Sequence, residues 1–565
     1  MTAAVVTQPT SGEIATILGG FKSSFLAVAL FSGVINLLYL SPAIYMLQVY
    51  DRVLNSQSES TLLALTLLVF GLFVVIGLLE TIRGSIMSNV GNALDEQLSS
   101  RIYRATFMRQ FLGAEAQANQ PLHDLSQLRQ FFSGSGLYAL LDLPWLPIFL
   151  ITIFLLHPWL GWFALFGAIL MFGGALMSER LARKPLTEAS QWSMAAQGLA
   201  ASQLRNAEVV SALGMMGGLS SRWKSLQQKA RDYQQQAFER VALTSGSSRV
   251  LRLMLQSGVL GLGAYLAIQG EMSPGSMIAA AILMTRALAP LESVIGHWKS
   301  LLNTLSGYRR LTDLLAEFPE AVRGVALPKP RGEVSFENIF VAPPGTTNYI
   351  LKGVSFSVDA GETLGVIGPS AAGKSTLARA MIGIWPTVLG KARLDGAELC
   401  QWDREHLGGS IGYLPQDIEL FSGTVAENIA RFGELDSQKI IDAARACHIH
   451  EMIVRLPQGY ETLVGDAGAM LSGGQRQLIA LARAVYGAPS LVVLDEPSAS
   501  LDESGLRALF GAIAHLKKHK ATLVLITHDM RLLKAADKLL ILQDGVVRDF
   551  GPSLEVLSRL KSKAG

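Results

Sequence analysis

The chain has 565 residues, of which half are apolar and only 16% charged, and its mean hydropathy is +0.34. That length exceeds what a single compact core fills, so two or more domains are expected. A net charge of +3 excludes nucleic acid as a bulk electrostatic partner. The two cysteines, Cys400 and Cys447, have no metal-ligand spacing, and free, buried thiols in a reducing compartment are the expectation.

The apolar residues are concentrated in the first 300. No charge occurs between Lys22 and Asp51, a stretch long enough to cross a hydrocarbon core of roughly 30 Å. The polar start of the chain and the length of this run argue against a cleavable signal peptide. Thr61 to Leu79 is a second uncharged run. Leu143 to Ser178 is a third; as one helix it would reach about 54 Å, so it is read as two spans turning at His157 and Pro158. Leu253 to Gln269 is the fifth span, and the run from Met277 onward is the sixth. Contact with membrane lipids follows.

The connections after spans one, three and five are short, whereas Glu80 to Gly136 and Glu179 to Arg249 are long, polar and helix-patterned. The long segments hold most of the basic residues, among them Arg101, Arg104, Arg109, Arg183, Lys184, Arg222 and Lys224. The positive-inside rule puts them, and the polar C-terminal half, in the cytoplasm. Arg286 in span six is a costly charge. Two readings stay open for it: a residue lining a water-filled path, or a side chain snorkelling to the headgroups.

A Pro- and charge-rich linker separates the halves, which gives an N-terminal segment 1–22, a membrane domain 23–318, a linker 319–331 and a polar domain 332–565. In the polar domain "ETLGVIG" reads as a buried strand, "GPSAAGKST" as a loop and "STLARAMIGI" as a helix. This is the context a phosphate-binding loop requires. Gly368, Pro369, Ser370, Ala371, Ala372, Gly373, Lys374, Ser375 and Thr376 form the candidate cradle. Lys374 is placed for the β- and γ-phosphates and Ser375 for Mg²⁺. The apolar strand "SLVVLDEP" ends in Asp495, a candidate metal ligand, and Glu496, a candidate for orienting or deprotonating water. His528 follows the strand "ATLVLIT", where it could sense the γ-phosphate. "LSGGQRQ" contributes Ser472, Gly473, Gly474 and Gln475, a second anion-binding helix start. A dimer in which one chain caps the ATP of the other is the economical account.

With these motifs in place, the polar half resembles the nucleotide-binding domain of an ABC transporter, of which "LSGGQ" is the signature. The resemblance matches Gln416 to the Q-loop, a catalytic and Mg²⁺-binding position; Ser500 to Asp502 to the D-loop; and His528 to the switch histidine. Its implied fold is an α-helical six-span transmembrane domain of the type I exporter kind, followed by an α/β P-loop nucleotide-binding domain. It implies a homodimer with two composite ATP sites. "LFSGTVAENI" and "TLVGDAG" are similar to segments that meet the membrane domain of exporters. One departure is Pro343, which falls where the family places an aromatic on adenine; Tyr349 could substitute, and weak base discrimination is expected. Asp466 and Ala467 stand where a Glu commonly precedes a basic residue.

"LYLSPAIYMLQVYDRVLNSQSES", "PPG" and "ILMTRALAPLES" resemble type I secretion ABC transporters, closest to the branch exporting RTX-type proteases and lipases. With about 22 residues before span one, no N-terminal peptidase domain is expected. The resemblance implies ATP-driven export of an unfolded polypeptide across a bacterial inner membrane, with an inner-membrane adaptor (membrane fusion) protein and an outer-membrane channel protein. A lipid or drug exporter and a nucleotide-gated regulatory subunit are the rival readings.

Overall fold

The computed structural model describes residues 12–111, 120–319, 327–465 and 468–564. Asp466 and Ala467, and most of the expected linker, lie outside the described residues. The chain divides into two units, Met1–Glu320 and Ala321–Gly565.

The first unit is helical, and its apolar helices are long enough to cross a membrane over Lys22–Ser56, Glu59–Phe111, Gly136–Leu156, Met216–Ile268 and Pro274–Glu317. Between the third and fourth of these, Pro158–Gly174 is an apolar stretch that opens the Pro158–Arg205 helix. These six passages are called spans one to six. The break between spans three and four falls where Pro158 starts a helix. His157 is extended there, and its Nδ1 accepts from the Trp159 N–H at 3.3 Å. Spans two and five each run for 53 residues, far beyond the ~20 a bilayer needs. The long polar segments are therefore mostly continuations of membrane helices, joined in part by short helices such as Gln120–Ser133 and Ala207–Ala212.

Span one is jointed. Lys22–Leu38 gives way to Ser41–Gln48 and then to a π-helical turn at Val49–Val53. The passage ends at Gln57, whose φ of +48° breaks the helix. Span three starts earlier than the sequence suggests, because Asp142 lies inside the helical run instead of bounding it. Its carboxylate accepts from Arg83 Nη1 at 2.9 Å, and the same nitrogen donates to Ser32 Oγ at 3.0 Å. The Arg83 guanidinium also lies over the Tyr138 ring, 4.5 Å from its centroid. A charge among apolar helices is tolerated only with such partners. Arg286 stacks on Tyr39 of span one, 4.1 Å from the ring centroid, and the Tyr39 hydroxyl donates to Glu80 at 2.6 Å.

The second unit is α/β. A six-stranded sheet has the order β10-β9-β3-β8-β7-β6, where β3 is Thr363–Ile367, β6 Ile411–Leu414, β7 Leu491–Asp495, β8 Thr522–Ile526, β9 Lys538–Gln543 and β10 Val546–Pro552. The pairs among β3, β6, β7, β8 and β9 are parallel, and β10 closes the edge antiparallel to β9. Every residue of β7 and β8 is buried, as expected for parallel strands covered on both faces. An antiparallel sheet of β1 (Val334–Val341), β2 (Leu351–Val358), β4 (Leu389–Leu394) and β5 (Ala397–Glu398) packs its apolar face on the same core.

Candidate nucleotide site

The parallel strands bring their C-terminal ends to one edge, where an α/β sheet collects its ligand-binding loops. β3 ends at Ile367, the loop Gly368–Gly373 follows, and a helix begins at Lys374. Gly368 has no room for a side chain, since a Cβ there would lie 2.2 Å from the Leu542 carbonyl oxygen. Gly373 has φ +98°, a conformation only glycine adopts freely. This tight backbone directs amide groups and the helix N-terminus into a cavity of about 610 Å³, lined by Ser370 to Thr376, Ile350, Gln416, Asp495, Glu496, Ala499 and His528.

Three side chains meet across that cavity. Lys374 Nζ donates to the Gly368 carbonyl at 2.7 Å, the Pro369 carbonyl at 3.2 Å and His528 Nε2 at 2.9 Å. His528 Nε2 is 3.4 Å from Glu496 Oε1. The turn after β7 sets this geometry: Glu496 has φ +48°, and its N–H donates to the Ile526 carbonyl of β8 at 2.8 Å. A non-glycine residue held in the left-handed region is a strained position that the surrounding structure must impose.

Asp495 is 2% exposed, and its Oδ1 has no hydrogen-bond partner. Burial pushes its carboxyl above the usual range; the Ser375 hydroxyl bonded to it pulls the other way, and the neighbouring Glu496 raises it again. An unpartnered buried carboxylate oxygen beside a hydroxyl, with an amide oxygen from Gln416 on the same cavity wall, is a donor set of the hard oxygen kind that Mg²⁺ takes. Ser375, Asp495 and Gln416 thus fit the ion.

Other expected residues do not line this cavity. Ser472, Gly473, Gly474, Gln475 and Asp502 are not among its lining residues. Ser472 caps the Gly473–Val485 helix in a reciprocal pair: its Oγ accepts from the Gln475 N–H at 3.2 Å, and Gln475 Oε1 accepts from the Ser472 N–H at 2.9 Å. Asp502 caps the Glu503–Lys518 helix, and hydrogen bonds from the Gly505 N–H and the Ser504 hydroxyl hold its carboxyl below the ordinary range. Pro343 and Tyr349 are also absent from the lining. The Pro343 carbonyl closes a turn by accepting from Thr346 N at 3.1 Å, and Tyr349 packs edge-on against Phe340, 5.5 Å between centroids.

Sequence reasoning missed Gln477. It is 3% exposed; its Nε2 donates to the Pro497 carbonyl at 2.5 Å, and its Oε1 accepts from the Ser500 N–H at 3.0 Å. It therefore ties the signature helix to the segment that follows Glu496. A signal was present, because Gln477 shares the helix face of Ala480, Leu481 and Ala484, all buried, where a polar residue needs partners. The two exporter-like segments also pair with each other, through Val425 N to the Thr462 carbonyl at 3.0 Å and Val464 N to the Gly423 carbonyl at 2.9 Å.

A glycine-rich cradle before a helix, a buried carboxylate at a parallel strand end and a capped signature helix define an ATP-binding engine joined to membrane spans. The chain belongs to the ABC transporters, and within them to the type I secretion ATP-binding proteins. Residues 25–291 match the ABC transporter transmembrane region and residues 351–499 the ABC transporter family. Over 552 residues the chain is 42% identical to the type I secretion system ATP-binding protein PrsD of Rhizobium meliloti, covering 97% of this chain and 95% of that one. It is 27% identical to the toxin RTX-I translocation ATP-binding protein of Actinobacillus pleuropneumoniae, over 95% of this chain and 77% of that one. With the alpha-hemolysin translocation protein HlyB of Escherichia coli the identity is 26%, over 96% of this chain and 77% of that one. A solved structure, a bacterial Atm1-family ABC exporter with ATP bound, shares the fold with a TM-score of 0.82 at 21% identity, covering 95% of this chain and 96% of the other. The chain is thus a multi-pass membrane protein and an ATP hydrolase coupled to transport.

Proposed function

We propose that this chain exports an unfolded polypeptide of the RTX kind, with a C-terminal signal, across the inner membrane of a bacterium. In this reading residues 23–318 form the export domain, 319–331 the linker and 332–565 the nucleotide domain on the cytoplasmic side. The working unit is a homodimer joined by an adaptor protein and an outer-membrane channel. The observation that carries the reading is the 42% identity to PrsD along nearly the whole chain, combined with the cavity where Lys374, Glu496 and His528 converge.

The cavity supplies the chemistry. Backbone amides of residues 370–375 and the helix N-terminus hold the phosphates. Ser375, Asp495 and Gln416 would hold Mg²⁺, which when bound would neutralise phosphate charge. Lys374 exchanges its carbonyl and imidazole contacts for phosphate oxygens, which frees His528 to donate to the γ-phosphate. Glu496 orients the attacking water and takes its proton. Ser472, Gly473, Gly474 and Gln475 of one chain cap the γ-phosphate held by the other, with Asp502 beside the junction; this accounts for their absence from the lining of their own chain's cavity. Neither Pro343 nor Tyr349 holds adenine in this reading, so most of the affinity resides in the phosphates.

The test is ATP turnover of the purified full chain in proteoliposomes, with an RTX C-terminal peptide or an amphiphilic drug added. Binding and altered turnover with the peptide are expected. Stimulation by the amphiphile alone would replace this reading with a lipid or drug exporter.

A further inference from the structure

Asp51 stands in the middle of the π-helical turn Val49–Val53, the second of the two joints in span one. Such turns widen a helix and redirect the side chains on it, and they recur at functional positions. Here the Asp51 carboxylate points at the start of span six. Its Oδ2 accepts from Ser273 Oγ at 2.5 Å, and its Oδ1 accepts from the Gly275 N–H at 2.9 Å. Ser273 is itself the N-cap of that helix, in a reciprocal pair with Ser276. A negative charge at a helix N-terminus gains from both the free amides and the macrodipole.

The contact is built with no spare room. A Cβ on Gly275 would lie 2.5 Å from Asp51 Oδ1 and 2.6 Å from its carboxyl carbon, so only glycine admits the carboxylate. Pro274 adds no competing N–H. The sequences "VYDRV" and "MSPGS", more than 220 positions apart, are thus two halves of one latch. It joins the far end of span one to the start of the span-six helix, opposite the long run of that helix to Glu317.

We propose that Asp51 is a positioning residue of the transport cycle: it latches the far-side ends of spans one and six in the nucleotide-free state and releases when ATP binding opens that side. A passage for cargo requires the far-side helix ends to part at some step. A carboxylate held by two donors at a helix start is a contact that is either fully made or lost, which suits a two-state element. The inference rests on ATP-driven transport alone and holds whether the cargo is a polypeptide or an amphiphile.

The latch can be tested covalently. The 2.6 Å approach leaves the Cβ positions of residues 51 and 275 within about 4 Å of each other, the separation a disulfide needs. The double variant D51C/G275C, with C400S to remove the exposed native thiol, is placed in proteoliposomes and oxidised with copper phenanthroline. Near-complete cross-linking is expected without nucleotide, and at least five-fold slower cross-linking after trapping with ATP, Mg²⁺ and vanadate. The cross-linked protein should turn over ATP at less than a tenth of the reduced rate, with recovery in dithiothreitol. Single-cysteine variants control for folding and for modification itself. Equal cross-linking in both states with full turnover would make the contact a static tie and overturn the proposal, as would failure to cross-link without nucleotide. Neither outcome bears on which cargo stimulates turnover.

Discussion

Lys374, Glu496 and His528 reach one another only because the ends of three neighbouring strands, β3, β7 and β8, set their origins side by side, and each has a separable role. Glu496→Gln keeps the size and hydrogen bonding of the side chain but not its basicity, so turnover should fall about 100-fold or more while ATP binding persists; nucleotide binding and phosphate release measured on the same sample check this. Asp495 makes a different prediction. Its carboxyl is raised by burial, so its contribution to stability is present at acid pH and is lost as pH rises through the raised folded value. Above that raised value the charged form burdens the fold. Asp495→Asn should therefore raise the melting temperature without nucleotide by a few degrees and remove the extra stabilisation that Mg-ATP brings to the wild type. Arg431 is a structural counterpart: its guanidinium donates to the carbonyls of Gly408, Ile411, Arg483, Ala484 and Tyr486. Burial, with the Arg483 charge nearby, pulls its pKa down to about 10. Arg431→Ala leaves these acceptors unpaired and should cost about 3 kcal/mol or more, seen as earlier melting of the nucleotide unit in the full chain.

Among the elements, the signature helix is tied to the catalytic turn through Gln477, whose two bonds to Pro497 and Ser500 span the residues just after Glu496. Gln477→Glu can still accept from Ser500 but cannot donate to Pro497. Turnover should drop about ten-fold with little change in KM for ATP, because the cavity is intact and only the alignment of the turn is lost. The β1–β2 connection carries Pro343 and Tyr349 outside the cavity lining, so catalytic efficiency with GTP should stay within about ten-fold of ATP, a difference of one to two kcal/mol. A steep preference for ATP would mean that an aromatic reaches the base after all. The secondary elements themselves were largely legible. The buried strands before Gly368 and Asp495 and the turn at His157 follow from apolar runs and from proline and glycine placement. The start of span three was not, because Asp142 reads as a boundary until Arg83 is seen to pair with it across 59 positions.

For the whole molecule, the absence of Ser472 and Gly474 from the lining of their own chain's phosphate cavity makes the composite site testable. A K374A chain paired with a G474D chain should keep one intact site and trap one nucleotide with vanadate. A chain carrying both changes, paired with wild type, should trap none. The opposite pattern would place both halves of each site in one chain.

The sequence by itself determined the class of machine. Uncharged runs of membrane length, a phosphate loop between strand and helix, and LSGGQ are local patterns, and each carries its chemistry wherever the chain places it. Only the tertiary structure decided which partners the isolated charges take. Arg83 with Asp142, Arg286 over Tyr39 and Asp51 on the start of span six join residues far apart in sequence. Their partners are chosen by helix packing, and no spacing rule links them. Gln477 is hidden for the same reason: its neighbours are peptide groups, which every sequence position supplies alike and only the fold brings within reach.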